Sequence, residues 1–256
     1  MAGNTSARGV SVTSRALTLL AAFDVQHRAL TLTEMATRSG LPIPTAYRFA
    51  TDLSVWGALQ RHEDGRYVVG RRLWSVGLLA PVETGLRELA SPFLHDLYGA
   101  TLATVHLAVR DDLDTLYLDV LAGHASVPVV SRIGARLPLY ATGVGKVLLA
   151  HAPDSVQERV LSGLKRHTPY TIVQPGRLRR QLDKVLRDDF ATTSEEMTLG
   201  ACSIAVPIHR AHAVVAALGV VVPTLRERAK LVTAIQVAAR GVSRSLETFP
   251  VSERST

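Results

Sequence analysis

The chain has 256 residues, a length that favours two domains over one. An apolar fraction of 47% is enough for buried cores and excludes a disordered chain. The formal net charge of +7 suits a polyanionic partner, although charge alone does not prove nucleic-acid binding.

Cysteine content and apolar runs bear on location. The single cysteine, Cys202, excludes an intrachain disulfide and fits a reducing compartment. The first residues, 1–9, are polar and do not resemble a secretory signal. The longest apolar run, Ala213–Val222, is too short to span a bilayer as a helix. We therefore expect a cytoplasmic protein with no membrane partner.

Two short helices are predicted at the N-terminus. The first begins at the cap Ser14. Its apolar residues recur at helical spacing on one face: Ala16, Leu19, Leu20 and Phe23. The second runs from the cap Thr33 to Arg38, and Gly40 ends it.

A third helix follows the turn Leu41–Thr45. Pro44 fits its first position, where the missing N–H costs nothing, and Gly57 closes it. Helical spacing predicts an inward face of Ala46, Phe49, Ala50 and Leu53. Short and basic side chains fall on the opposite face.

Two alternating segments, Leu59–Arg61 and Arg66–Val69, are joined through an Asp-Gly turn and predict a hairpin. Three helices followed by a hairpin indicate a winged helix-turn-helix. Arg48 is suited to a bidentate contact with guanine, and the wing arginines are suited to phosphates or the minor groove. The candidate DNA-binding residues are Thr33, Pro44, Thr45, Tyr47, Arg48, Thr51, Arg61 and Arg66. The alternative is that each is an ordinary solvated residue.

Two helical segments are predicted to connect the N-terminal module to the rest of the chain. They cover Arg71–Leu79 and about residues 83–97, with Pro81 between them. Pro92 predicts either a kink or a fresh helix start within the second. We place the winged helix-turn-helix at 10–72, connector helices at 73–98 and the larger domain at 99–250.

The larger domain shows strands, then helices, then strands and a final helix. The predicted strands are residues 102–110, 113–121, 127–133, 190–194, 201–209 and 213–222. A glycine-rich turn with helix onset at 141–146 runs into residues 147–151, and further helices are predicted at 153–164, at 176–187 and from about Thr224. This order is typical of an α+β sheet domain.

No catalytic, metal or cofactor site is predicted. Cys202 lies in an apolar strand pattern, where a thiol is normally inert. The nine histidines lack ligand spacing, and His209 with His212 offers only a pair. No nucleophile accompanies Glu195 and Glu196, and the stretch GVGK lacks the spacing of a phosphate-binding loop.

The chain resembles the IclR family of bacterial regulators from about Val12 to Leu246. Five sequence segments carry the resemblance: SRALTLLAAF, LTEMATRSGLPIPTAYRFATDLSVWG, RYVVGRRLWSVG, RIGARLPLYATGVGKVLLA and GACSIAVPI. The resemblance implies a GAF-like effector-binding domain with a curved antiparallel sheet. It also implies a homodimer or dimer of dimers that binds palindromic operators in double-stranded DNA.

The resemblance further implies an effector pocket between the sheet and the loops that carry ATGVGK, SEE and ACSIAV. The effector-binding candidates that it implies are Val129, Ser131, Gly143, Gly145, Ser194, Cys202, Ser203, Gly219 and Val221. Some members bind small carboxylates through hydroxyls on the last strand, which here reads ALGVVVP. An apolar or aromatic organic acid, held by backbone N–H groups of the Gly143–Gly145 turn, therefore fits better.

These features predict a ligand-responsive transcriptional regulator, either a repressor or an activator. Two other classes remain open at this point. One is an enzyme built on the sheet domain, with the N-terminal module as a tether. The other is a protein–protein interaction module that uses a winged helix without DNA.

Overall fold

The computed structural model describes residues 11–24, 26–77, 84–123, 127 and 129–248. The chain divides into two compact units, Met1–Val82 and Glu83–Thr256. The α+β fold expected from the sequence is confirmed, while the domain boundaries at 72 and 98 stay predictions. Pro81 and His124 lie outside the described residues.

The N-terminal unit is a small helical domain with a three-stranded wing. Its elements are α1 (Val12–Leu20), β1 (Ala29–Leu30), α2 (Leu32–Ser39), α3 (Ile43–Trp56), β2 (Leu59–Arg61), β3 (Tyr67–Val69) and α4 (Arg71–Gly77). The strands are antiparallel in the order β1-β3-β2. With only two residues, β1 is too short to show an alternating pattern, so sequence reasoning missed it.

Two helix caps lie earlier in the chain than predicted. Ser11, not Ser14, caps α1, because its hydroxyl accepts the N–H of Ser14 at 3.0 Å. Thr31, not Thr33, caps α2. The Thr31 hydroxyl accepts the Glu34 N–H, and the Glu34 carboxylate accepts the Thr31 N–H at 2.7 Å. This reciprocal capping box is available only to a residue that stands three positions before a Glu or Gln.

The predicted ends of α2 and α3 are confirmed. Gly40 and Gly57 both adopt the left-handed conformation, with φ of 66° and 87°, which glycine tolerates without steric cost. Pro42 is the cap of α3, so Pro44 is its second residue rather than its first. The helices bury one apolar core, formed by Leu19, Ala22, Leu30, Met35, Ala36, Ala46, Phe49, Ala50, Leu59 and Tyr67.

The C-terminal unit is a curved six-stranded antiparallel sheet with helices on both faces. Its helices are α5 (Thr84–Thr101), α6 (Gly143–Ala150), α7 (Asp154–Ser162), α8 (Pro175–Asp188) and α9 (Arg228–Thr248). Its strands are β4 (Thr104–Asp111), β5 (Asp114–Leu121), β6 (Arg136–Pro138), β7 (Ala191–Ser194), β8 (Cys202–Arg210) and β9 (Ala213–Val222). The strand order is β6-β5-β4-β9-β8-β7.

Strand alternation divides the buried side chains between two cores. On β4, Val105 and Leu107 pack with α5 and α9, whereas Ala108 packs with α6, α7 and α8. The α5–α9 contact is close, because a side chain at Gly241 would overlap the ring of Phe93. The candidate effector cavity lies on the sheet face that carries α6.

One sequence prediction in this unit, a strand at 127–133, is wrong. Residue 127 and residues 129–133 form no strand, and the next strand is β6. Gly134 turns the chain there with φ of 79°, and its N–H donates to the carbonyl of Tyr117 at 2.8 Å. Helix α6 begins at Gly143, within the predicted helix onset, because the Thr142 hydroxyl caps it by accepting the Gly145 N–H.

Of the two alternatives predicted at Pro92, the fresh helix start is excluded, because α5 runs through this residue. A proline inside a helix leaves the carbonyl four residues earlier without its hydrogen bond. That carbonyl belongs to Glu88, and both residues are exposed, so water can replace the lost bond.

Candidate DNA-binding surface and effector cavity

The outward face of α3 is free within its own unit. Ala46, Phe49 and Ala50 are buried, whereas Tyr47 is 53% exposed. The candidate residues of this helix are Pro44, Tyr47, Arg48 and Thr51, which are exposed, and Thr45, which is half-buried. The structure therefore brings the predicted recognition residues together on one helix face.

Arg48 carries the main basic group of this face. Its guanidinium lies over the ring of Phe49, 5.3 Å from the ring centroid. Within the described part of the chain no carboxylate forms an ion pair with it. Arg38 differs, because it donates to the carbonyl of Ala22 at 2.7 Å and to the carboxylate of Asp24 at 2.6 Å. Arg48 is thus available to an external partner and Arg38 is engaged in the fold.

The wing adds two exposed arginines at its turn. Arg61 stacks over Tyr67 at 5.6 Å from the ring centroid. Gly65 turns the chain with φ of 82°, and the Arg66 N–H donates to Asp64 Oδ1 at 3.0 Å. Neither guanidinium forms an ion pair with another described residue. Thr33 is exposed in the first turn of α2.

Sequence reasoning missed one basic residue of this unit, Arg28. It is exposed and directly precedes β1, whose residue Ala29 pairs with Val68 of the wing. Arg28 therefore lies beside the wing. The two-residue strand that brings it there gave no signal in the sequence.

The C-terminal unit contains a cavity of about 460 Å³, including the volume at its mouth, between the sheet and the start of α6. Six of the nine predicted effector residues line it: Val129, Ser131, Gly143, Ser203, Gly219 and Val221. The remaining walls are mainly apolar, and include Leu137, Val144, Met197 and Val220. No lysine or arginine is among the described residues that line the cavity.

Gly145, Ser194 and Cys202 do not line this cavity. Gly145 faces the protein interior, where a side chain would overlap the carbonyl of Leu139. Ser194 and Cys202 are partners on β7 and β8, while Thr193 and Ser203 are the adjacent pair. Side chains alternate along a strand, so the cavity receives Thr193 and Ser203 but not Ser194 and Cys202. The Cys202 thiol instead lies near the carbonyl of Pro223.

One end of the cavity is formed by the first turn of α6. The N–H groups at a helix start have no intrahelical partner and favour anions. Here the hydroxyl of Thr142 accepts the N–H of Gly145 at 3.1 Å, which leaves the N–H groups of Gly143 and Val144 without such a cap. Hydroxyls of Thr193 and Ser203 lie 2.5 Å apart beside this turn. This end is suited to a single carboxylate.

A second polar part of the cavity wall is the pair His106 and Ser131. His106 Nε2 lies 2.7 Å from Ser131 Oγ, and the ring of Tyr117 meets the imidazole edge-on at 4.9 Å. Burial lowers the pKa of His106 to about 4 and raises the pKa of Tyr117 to about 12. Both side chains are therefore neutral at physiological pH.

Sequence reasoning did not assign His106, Tyr117 or Thr193 to the site. A signal was present on β4, where Thr104 and His106 share one face and the residues next to them, Val105 and Leu107, are apolar. Polar residues on a buried strand face need partners, and a cavity is one place where they find them. The sequence did not indicate that Ser131, which is 25 residues away in the chain, contacts His106.

A buried ion pair connects two walls of the cavity. Lys146 Nζ, on α6, lies 2.5 Å from Glu196 Oε1 and 2.5 Å from Gln181 Oε1. Burial lowers the pKa of Lys146 and raises the pKa of Glu196, and each charge opposes the shift of the other. The next residues after Glu196, Met197 and Thr198, line the cavity.

Glu195 and Glu196 both have structural partners. The Glu195 carboxylate accepts the Gly200 N–H at 2.8 Å, and Glu196 pairs with Lys146. Among the described residues, no three His, Cys, Asp or Glu side chains converge as metal ligands would. None of the described helices is long and apolar enough to cross a membrane.

Two family models match the chain. The model of the IclR helix-turn-helix domain matches residues 12–63, and the model of the bacterial transcriptional regulator IclR C-terminal domain matches residues 80–244. Together they cover both units of the structure.

Individual relatives and solved structures match over most of the chain. The HTH-type transcriptional regulator XynR of Escherichia coli is 30% identical, over 91% of this chain and 95% of its own length. The p-hydroxybenzoate hydroxylase transcriptional activator of Acinetobacter baylyi is 32% identical, over 76% and 74%. An IclR homolog from Microbacterium hydrocarbonoxydans, solved with 4-hydroxybenzoate, is 32% identical with a TM-score of 0.88, over 93% of this chain and 100% of its own.

Proposed function

The chain belongs to the IclR family of bacterial transcriptional regulators, and we propose that it binds a palindromic operator as a dimer or dimer of dimers under the control of a small organic acid. Its relatives are named regulators of transcription, so it is a DNA-binding regulator and not an enzyme. The observation that carries the proposal is the exposed outer face of α3, with Arg48 free of any carboxylate among the described residues.

Arg48, at the centre of that face, is proposed to form a bidentate hydrogen bond with a guanine in the major groove. Tyr47 and Thr45 flank it, at the positions where a helix-turn-helix contacts bases and phosphates. Arg61 and Arg66 would then lie near the backbone or the minor groove, where their charge raises affinity without selecting sequence.

Oligomerisation is proposed because one recognition helix provides few base contacts. A two-fold dimer presents two helices to two half-sites and doubles the contacts with phosphate. Exposed apolar side chains in the N-terminal unit support a contact surface there. They are Val12 and Leu17 of α1, and Trp74 and Val76 of α4, with Trp74 65% exposed.

The effector is proposed to be a monocarboxylic acid with an apolar, aromatic body. The carboxylate would bind the first turn of α6, beside Thr193 and Ser203, and the body would contact the apolar walls. The absence of lysine and arginine from the described cavity walls disfavours a second carboxylate. A structural relative solved with 4-hydroxybenzoate is consistent with this class of ligand.

Regulation requires that the acid bind one arrangement of the DNA-binding units more tightly than another. Without that difference in affinity the acid would leave operator binding unchanged. The proposal therefore has two separable parts, specific DNA binding and its modulation by an acid.

The test measures binding of the full-length chain to labelled duplex from the region upstream of its own gene, by fluorescence anisotropy across a salt series. We expect affinity that exceeds that for an unrelated duplex, falls steeply with salt, and changes when benzoate is added. Equal affinity for both duplexes at every salt concentration would reject specific DNA binding and would favour a protein–protein module.

A thermal-shift screen of the same protein tests the ligand class. Aromatic monocarboxylates should stabilise the chain at lower concentrations than aliphatic dicarboxylates. Stabilisation by dicarboxylates alone would contradict the proposed charge of the cavity.

A further inference from the structure

We propose that His106 and Ser131 are specificity-determining residues that bind a hydroxyl group at the end of the effector remote from its carboxylate. The inference rests on the proposed acid-binding function and extends it, because it gives the ligand a second polar group. The ligand class then becomes a hydroxy-substituted aromatic monocarboxylate.

The two polar ends of the cavity lie on different strands. His106 on β4 pairs with Gly219 on β9, and Gly219 pairs with Ala205 on β8. Ser203 lies two residues from Ala205 along the same strand. With strands about 4.8 Å apart and about 3.4 Å per residue, the Cα atoms of His106 and Ser203 are about 12 Å apart. Once both side chains extend into the cavity, one aromatic ring with a substituent at each end fits between them.

The chemistry of the pair favours a hydroxyl. A neutral imidazole has one donor and one acceptor nitrogen, and the Ser131 hydroxyl can both donate and accept a hydrogen bond. A ligand hydroxyl also donates and accepts, so it can join the His106–Ser131 hydrogen bond without leaving a buried atom unpaired. A carboxylate would only accept, and its charge would meet no cation, because burial keeps His106 neutral.

The position of the pair argues against a purely structural role. Ser131 lies on the non-strand segment 129–134, and both side chains line the cavity. Their hydrogen bond is not part of either hydrophobic core, although the His106 ring contacts Tyr117. The interaction therefore holds a loop at the cavity wall and presents polar atoms to whatever occupies the cavity.

The test measures the affinities of benzoate, 4-hydroxybenzoate and terephthalate for the full-length protein by isothermal titration calorimetry. A hydrogen bond with a buried polar pair should give 4-hydroxybenzoate an advantage of about tenfold or more over benzoate. Terephthalate, which places a charge at the same end, should bind at least about tenfold more weakly than 4-hydroxybenzoate.

Two variants then assign the advantage to these residues. His106→Leu and Ser131→Ala should each remove most of the preference for the hydroxyl, measured as the ratio of the affinities for 4-hydroxybenzoate and benzoate. Ser131→Ala changes a loop residue, so it keeps the test valid if the buried His106→Leu variant fails to fold. Ser162→Ala, an exposed serine of α7, is the matched control and should keep the full preference.

The outcomes separate this inference from the function it rests on. The proposed role of His106 and Ser131 is wrong if benzoate and 4-hydroxybenzoate bind with equal affinity, or if both variants weaken the two ligands equally. In either case the proposed acid-binding site is retained. If none of the three acids binds, the proposed acid effector is wrong and the inference falls with it.

Discussion

Lys146 and Glu196 form an ion pair in which the two side chains are only 1% and 5% exposed, with Nζ 2.5 Å from Oε1. Lys146 belongs to α6, whose first turn forms one end of the cavity. Glu196 belongs to the loop after β7, and the hydroxyl of Thr171 donates to its backbone carbonyl at 2.7 Å. The pair therefore fixes two cavity walls relative to each other.

Removing one partner of this pair should be strongly destabilising. Lys146→Met leaves the Glu196 carboxyl buried without its countercharge, and we expect a loss of about 3–5 kcal/mol in the free energy of unfolding. The double variant Lys146→Met/Glu196→Leu removes both charges and should recover most of that loss. Urea unfolding followed by circular dichroism measures both values. A double variant no more stable than Lys146→Met would contradict this account.

His106 should make stability depend on pH. Its pKa in the folded protein, about 4, is below the value of 6.5 for the unfolded chain, so acid protonates the unfolded chain first. The stability that the buried, neutral His106 contributes is fully present above pH 6.5 and is lost as pH falls toward 4, by about 3 kcal/mol in total. In His106→Leu that part of the pH dependence should be absent. Parallel stability curves for the two proteins between pH 7 and pH 4 would show that the histidine is not buried as described.

Two glycines of α6 should respond differently to alanine. A side chain at Gly143 would overlap the Ser203 hydroxyl at the carboxylate end of the cavity. Gly143→Ala should therefore weaken benzoate and 4-hydroxybenzoate alike, by about tenfold, since the expected loss is that of about one hydrogen bond. At Gly145 the obstacle is the backbone carbonyl of Leu139, so Gly145→Ala should cost about 1–3 kcal/mol of stability through overpacking.

Calorimetric titration and urea unfolding of both variants check this contrast. If Gly143→Ala and Gly145→Ala lost the same acid affinity and were equally stable, the carboxylate end of the cavity would not lie at Gly143.

Arg48 should contribute directly to operator affinity. We expect Arg48→Ala to weaken binding to the specific duplex by about 1–3 kcal/mol, the value of a bidentate base contact. Arg48→Lys keeps the charge but loses the bidentate donors of the guanidinium, and should lose nearly as much specificity. The control is Arg179→Ala, which removes an exposed arginine of α8 and should have no effect in the same anisotropy assay. Unchanged affinity for both Arg48 variants would reject the assignment.

The wing arginines should act mainly through charge. Arg61→Ala and Arg66→Ala should lower affinity for specific and unrelated duplexes alike. Each should also reduce the slope of log K against log salt by about 1, if each neutralises one phosphate. Anisotropy at four or more salt concentrations gives the slopes. A loss confined to the specific duplex would instead indicate base contact in the minor groove.

The sequence by itself determined the elements whose signals are local. Gly40 and Gly57 end their helices as predicted, because a glycine after a helical repeat adopts the left-handed conformation at no steric cost. The turn through Gly65 formed the wing hairpin, and continuous apolar runs identified β8 and β9 to within one residue. The outward face of α3 followed from the same periodicity, since a helix buries one stripe and exposes the other.

The tertiary structure decided which side chains meet in the cavity. Alternation separates neighbours such as Cys202 and Ser203 onto opposite faces, but it does not say which face borders the cavity. The Lys146–Glu196 pair and the His106–Ser131 pair join residues 50 and 25 positions apart. Such contacts depend on how the sheet curves and where α6 packs, and packing of distant segments leaves no periodic trace in the sequence.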